Sequence, residues 1–279
     1  MPRIAIALGA SFLGYATHAG FMARLHELGV RPCKIAGASA GAIAAGLYAS
    51  GLPQERIKAE VLRLRLRLSF VYGTTPLLHQ LRSLWWSRHP SFFNPRSAVA
   101  HLRGVVGDTR IEDLKAPGLT VALTSIDSHR AILAERGALA LAMVASCCVP
   151  VLFAPLEFEG ALCFDGGVAN QVPVDQWLAS DDVDIIIAHR VGSPPQARSR
   201  CFPGNIAGLS GDAHETNSRQ MLHYRQTLAE KAGKRFLLVD TEHARPAMLL
   251  RTDLSGYYEI GAARAQEFYD TQLRPLLDA

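Results

Sequence analysis

Ser39 stands between two glycines, in the run Gly37-Ala38-Ser39-Ala40-Gly41, where a short apolar stretch ends and an alanine-rich one begins. A serine hydroxyl is a weak nucleophile and needs a neighbouring base. A G-x-S-x-G turn from strand to helix can supply the rest of the setting. Small flanking residues allow the tight turn, the hydroxyl is exposed at the strand's carboxyl end, and the helix brings unpaired N–H groups and the positive end of its dipole. On this reading the Ala40 amide points where negative charge develops on an attacked carbonyl. The same five residues also fit a plain turn, and taken alone they do not decide.

Two other stretches bear on the choice. The loop LGASFLG at 8–14 follows an apolar run, and small residues at Gly9, Ala10 and Ser11 let backbone N–H groups turn toward one point. The alternatives are an anion-binding glycine loop or a simple turn. A dinucleotide fingerprint is disfavoured, because the spacing is not G-x-G-x-x-G and no acidic residue ends a following strand. The second stretch is FDGGVANQVPV at 164–174, where Asp165 directly follows an apolar run and precedes two glycines. It reads as a carboxylate at a strand end, with a capping or turn aspartate as the alternative.

Together the three stretches resemble the patatin-like phospholipases: a glycine-rich loop after the first strand, a G-x-S-x-G turn after the second, and a later DG[GA] turn. Here they are GASFLG, GASAG and DGG, in that order, with the likeness continuing through GASAGAIAAGLYASG and through 145–174. The resemblance implies that Ser39 is the nucleophile and Asp165 its sole side-chain partner, a dyad without histidine. It implies oxyanion amides from Gly9, Ala10 and Ser11, with Gly14, Gly37, Gly41, Gly166 and Gly167 supporting the motifs. The implied activity is serine hydrolysis of lipid acyl esters, with no metal or cofactor. Departures are visible too. The usual glycine run is Gly9-Ala10-Ser11, Leu13 replaces a common arginine, and His18 is displaced by one residue from a histidine many relatives carry. The first of these narrows the space beside the carbonyl.

A free aspartate, with pKa near 3.9, is a poor base at neutral pH. Desolvation by Phe164 and Val168 is expected to raise it. Three alternatives use overlapping residues: a Ser39–Asp165–His243 triad in α/β-hydrolase order, a lipid-binding protein without turnover, and acyl transfer to an acceptor other than water.

The elements that must position these groups follow from apolar runs. RIAIAL (3–8), CKIA (33–36), LTVALTSI (119–126), ALCF (161–164), DIIIAHRV (184–191) and RFLLVD (235–240) read as strands, and about 17–28, 138–147, 215–232 and 256–274 as helices. Strand, loop, helix, strand, turn, helix is the rhythm of a parallel α/β architecture. The expectation is a three-layer α/β/α sandwich with a mainly parallel sheet, forming one domain over 1–279. The 279 residues are 49% hydrophobic, enough for one large core. Segment 59–97 is the least regular. LRLRLRL (62–68) alternates like a strand although it continues a helical run, and Trp85, Trp86, Phe92 and Phe93 lie among basic side chains. It reads either as a covered core element or as a basic, aromatic flap meeting a lipid surface.

A net charge of +4 is too small to argue for nucleic acid. Cys33, Cys147, Cys148, Cys163 and Cys201 lack CxxC spacing, so reduced, mostly buried thiols are expected. His26, His79, His89, His101, His129, His189, His214 and His223 form no metal-ligand motif. The N-terminal apolar run has the length of a strand rather than of a signal peptide. These features point to a cytoplasmic protein with a lipid or ester substrate and scope for peripheral membrane contact.

Overall fold

In the computed structural model, residues 2–71, 89–193, 204–244, 246 and 253–278 are described. Trp85 and Trp86, and with them most of the aromatic flap, lie outside that set. In chain order the main elements are β1 (Ile4–Leu8), α1 (Tyr15–Glu27), β2 (Lys34–Ala38), α2 (Ala40–Ala49), α3 (Gln54–Leu62), α4 (Leu64–Ser69) and α5 (Arg96–Val106). Then come β3 (Gly118–Ser125), β4 (Arg130–Ala134), α6 (Leu139–Ala145), β5 (Leu156–Phe158), β6 (Ala161–Asp165) and α7 (Asp175–Leu178). The last are β7 (Ile185–Gly192), α8 (Gly204–Lys231), β8 (Arg235–Glu242) and α9 (Ser255–Phe268).

Among the described residues, eight strands form one mixed sheet in the order β5-β6-β3-β2-β1-β7-β8, with β4 paired beside β3. From β3 through β8 all neighbours are parallel, and β4, β5 and β6 add antiparallel pairings at one side. The sheet is flanked by helices on both faces, as expected of the sandwich.

The residues of β1 show why. Ile4, Ile6 and Leu8 enter a large core with Phe21, Leu25, Ile43, Leu47 and Met143 from α1, α2 and α6. Ala5 and Ala7 face the other way, into a smaller core with Trp177, Leu222 and Ala229 from α7 and α8. A strand covered on both faces has no polar alternation to show, which is why it reads as a continuous apolar run. Burying one such Ile or Leu side chain is worth roughly 2 kcal/mol.

Two expectations are corrected. LRLRLRL is helical: α3 ends at Leu62, Arg63 is extended, and α4 buries Leu66 and Arg67 together. The short β4 and β5 were not anticipated, and α8 starts eleven residues earlier than the sequence pattern suggests, at Gly204 rather than 215.

Helices α1 and α9 meet through reciprocal glycines. A Cβ at Gly20 would strike the Tyr258 carbonyl oxygen, and one at Gly261 would strike that of Thr17. Backbone cannot retreat as a flexible side chain can. Gly20→Ala or Gly261→Ala is therefore expected to lower the melting temperature by several degrees, a loss of at least about 2 kcal/mol from overpacking. Unchanged melting in either variant would contradict so close a crossing.

Candidate active site

The turn between β2 and α2 holds Ser39 at φ 52° and ψ −122°, a conformation costing a non-glycine residue roughly 1–3 kcal/mol. Its surroundings over-determine it. A Cβ at Gly37 would collide with the Gly41 carbonyl, and one at Gly41 with the Leu8 carbonyl oxygen, so α2 starts in direct contact with the end of β1. The Ser39 amide donates to Ser146 Oγ at 2.8 Å, and that hydroxyl donates onward to the Ala122 carbonyl at 2.7 Å. Ala40 opens α2, where its N–H has no intrahelical acceptor.

Asp165 ends β6, opposite Leu123 of β3. Its Oδ2 accepts from Ser39 Oγ at 2.6 Å, and its Oδ1 from the Gly167 amide at 2.7 Å. Its backbone is fixed as well: the N–H donates to the Cys148 carbonyl at 3.0 Å, and the carbonyl accepts from Thr124 Oγ1 at 2.8 Å. Gly166 must be glycine, because a Cβ there would enter the Ala122 carbonyl.

Burial pushes the Asp165 carboxyl up to about 6, against the opposing pull of the bonds from Ser39 and Gly167. The direction and its cause, desolvation, are as expected; the surroundings differ in part. Val168 is exposed and Phe164 only half-buried, while Cys147 and Cys148 are buried and close enough to feel the Asp165 charge. The Cys147 thiol beside Ser39 is pushed well above its ordinary value, first by burial and then by the Asp165 charge, and stays a thiol.

The loop after β1 lies between these two turns. Gly9 packs near Gly41, and a Cβ at Gly167 would run into the Cβ of Ala10. Its amides divide into two sets. Gly9 N–H donates to the His189 carbonyl at 2.9 Å and Ala10 N–H to the Gln171 carbonyl at 2.7 Å. Those two donors are occupied, which corrects the expectation that Gly9 and Ala10 supply oxyanion amides. The Ser11 amide finds no acceptor among the described residues. Leu13 adopts φ 56°, and Gly14 packs against the Ser11 side chain.

His243 does not approach the pair. Its Nε2 is 2.8 Å from Thr17 Oγ1 and its Nδ1 2.9 Å from the Ala244 carbonyl, whereas the Ser39 hydroxyl reaches Asp165 directly. No nitrogen of His243 is left to sit between hydroxyl and carboxylate.

The patatin-like phospholipase pattern matches residues 7–178, well over half of the chain and all three turns. The chain belongs to the patatin-like phospholipase family. It is 32% identical over 207 residues to uncharacterized NTE family proteins of Mycobacterium tuberculosis and Mycobacterium bovis, a stretch covering 74% of this chain and 53% of each relative. The chain thus spans about half the length of those curated relatives. Among solved structures it is similar to VipD from Legionella pneumophila, with TM-score 0.54, 12% identity, and coverage of 97% of this chain and 67% of that one. That likeness is one of fold.

Within this patatin-like frame, the sequence motifs locate Ser39, Asp165 and the glycines that let their turns close. Ser146 and Thr124 escape sequence reasoning. Ser146 reads as the end of a helix and Thr124 as one strand residue among several. The pairing of β3 with β6 sets Thr124 against Asp165, and Ser146 reaches the Ser39 turn from the end of α6. No helix among the described residues is long and apolar enough to cross a membrane.

Proposed function

We propose that the protein is a serine hydrolase of lipid acyl esters that works through a Ser39–Asp165 dyad. The observation that carries this reading is the 2.6 Å contact between Ser39 Oγ and Asp165 Oδ2, a distance at which a proton can pass directly. Asp165 takes the hydroxyl proton as Ser39 Oγ attacks the ester carbonyl. The negative oxygen of the tetrahedral intermediate is received by the Ser11 and Ala40 amides, each worth roughly 3 kcal/mol at the transition state. On collapse the C–O bond to the leaving group breaks, and the proton on Asp165 passes to the departing alcohol. An acyl-serine remains. Asp165 then removes a proton from water, which attacks the acyl carbon. The bond from that carbon to Ser39 Oγ breaks, Oγ takes the proton back from Asp165, and the fatty acid leaves.

Lipid as the acyl source is supported by family membership and by exposed apolar side chains close to the turns. Phe12 lies in the loop after β1, and Val168 three residues beyond the catalytic carboxylate. Both suit contact with an acyl chain or a lipid surface. We assign the single-domain arrangement and a cytoplasmic, peripherally membrane-contacting location to this same proposal.

The test pairs covalent labelling with turnover. A fluorophosphonate probe should label the wild type and fail on Ser39→Ala. Hydrolysis of esters of graded chain length should fall by about 10³-fold or more in Ser39→Ala. Turnover should decline on the acid side with an apparent pKa near 6, because the base must be ionised. Probe labelling that survives Ser39→Ala would overturn the dyad. A wild type that binds lipid vesicles but cleaves no ester would establish the non-catalytic alternative.

A further inference from the structure

A buried hydrogen-bonded chain runs under the loop that follows β1, built from side chains the reaction itself does not touch. His18 on α1 points Nε2 at the Gly9 carbonyl, 2.9 Å away. A carbonyl can only accept, so that nitrogen carries the hydrogen. Burial holds both imidazoles neutral, pushing His18 down to about 3 and His189 well below its usual value. A neutral ring has one N–H, which leaves His18 Nδ1 bare, and it accepts from His189 Nδ1 at 2.9 Å. His189 Nε2 is then bare in turn and accepts from the Thr241 hydroxyl at 2.9 Å. The proton order is fixed from end to end: Thr241 to His189, His189 to His18, His18 to Gly9.

Packing holds the rings in register. Phe21 stacks on His189 with centroids 3.8 Å apart, and His18 meets His189 edge-on. His189 also gives its own backbone carbonyl to the Gly9 amide. The peptide unit joining Gly9 to Ala10 is therefore clamped at both ends, its carbonyl by His18 and its N–H by the Gln171 carbonyl. The next N–H along the chain is that of Ser11. Ser11 Oγ, at 3.5 Å from His18 Nε2, is too distant to compete with the Gly9 carbonyl.

We infer that His18, His189 and Thr241 are positioning residues, which act through the Gly9 carbonyl to set where the Ser11 amide sits relative to Ser39. The inference rests on the reading of that loop as the oxyanion site. An interaction that matters only as charge develops on the carbonyl oxygen affects kcat far more than KM. A buried polar cluster kept for stability alone would lower melting temperature and leave kcat intact in whatever protein remains folded.

The experiment measures kcat and KM on a soluble ester, melting temperature, and imidazole 15N tautomer signals, for the full chain and three variants. His18→Leu removes the donor to Gly9 and should lower kcat by about tenfold or more with KM changed less than about threefold. His18→Gln can restore an N–H near Nε2 and should recover most of that loss. Thr241→Val keeps the shape, leaves His189 Nε2 without its donor and so loosens the far end of the chain, and should lower kcat severalfold. In the wild type, His189 should carry its proton on Nδ1 and His18 on Nε2.

A folded His18→Leu with undiminished kcat overturns the inference, as does His18→Gln impaired as deeply as His18→Leu. Wild-type His189 protonated on Nε2 does the same. If His18→Leu fails to fold, Thr241→Val decides, and full kcat in that variant ends the proposal. Active wild type, dead Ser39→Ala and unaffected histidine variants would sink this inference alone. Wild type inactive on every ester would remove the proposed reaction and this inference with it.

Discussion

Asp165→Asn is expected to give a protein that is inactive and more stable than the wild type at neutral pH. Asparagine preserves the contacts: its oxygen can accept from the Gly167 amide and its NH2 can donate to Ser39 Oγ, the two partners Asp165 has now. It cannot accept a proton, so ester turnover should fall by about 10³-fold. The stability change follows from linkage. The folded carboxyl titrates near 6, above its unfolded value near 4. Between those two pH values the folded state binds more protons, so wild-type stability falls as pH rises through the window. Above it the native state carries a penalty on the order of 3 kcal/mol for holding a charge away from water. The asparagine variant escapes that penalty. Its melting temperature should exceed the wild type's by several degrees at pH 8, and the gap should close on approach to pH 4. Melting curves across that range check the sign. A variant less stable than the wild type at pH 8 would mean that the carboxylate is not the desolvated base it is taken to be.

The same contrast between a group and its surroundings decides what could be read from the sequence. Ser39 and Asp165 were legible because each sits on a turn that demands glycine neighbours, and such turns leave a local mark. The central strands were legible because burial on two faces writes an uninterrupted apolar run. The destination of an amide hydrogen leaves no mark. Nothing in GASFLG says that Gly9 N–H meets a carbonyl of β7 or Ala10 N–H one that follows the DGG turn. Those acceptors lie some 160 or more positions away and arrive only when the sheet assembles. For the same reason His189 and Thr241 look like ordinary strand residues, and their partnership exists only because β7 and β8 are paired in parallel. LRLRLRL misled for a different reason. Alternation signals a strand where one face meets solvent, but this segment is two helical pieces broken at Arg63, and α4 buries an arginine beside a leucine.

Gly167→Ala should be nearly as damaging as loss of a catalytic group, and a second substitution should repair it. A Cβ at position 167 would overlap the Cβ of Ala10 and press within 3.0 Å of Asp165 Oδ1. The family pattern tolerates glycine or alanine at the last position of DG[GA], where the facing loop usually has glycine. This chain has alanine at position 10, so the space is already filled from the other side. Gly167→Ala must therefore push the loop carrying Ser11 away from Ser39 or tilt the carboxylate, and a displacement near 1 Å at such a site costs about 10²-fold in rate. Ala10→Gly removes the obstructing methyl, leaving the Asp165 Oδ1 at 3.0 Å and the position 10 Cα at 4.0 Å from the new Cβ. The double variant Ala10→Gly/Gly167→Ala is expected to regain at least tenfold over Gly167→Ala, whereas Ala10→Gly alone should change kcat little. A double-mutant cycle on kcat/KM reads the coupling directly. Strictly additive effects would show that the two turns do not touch, and with that contact would go the physical basis for placing the Ser11 amide beside the nucleophile.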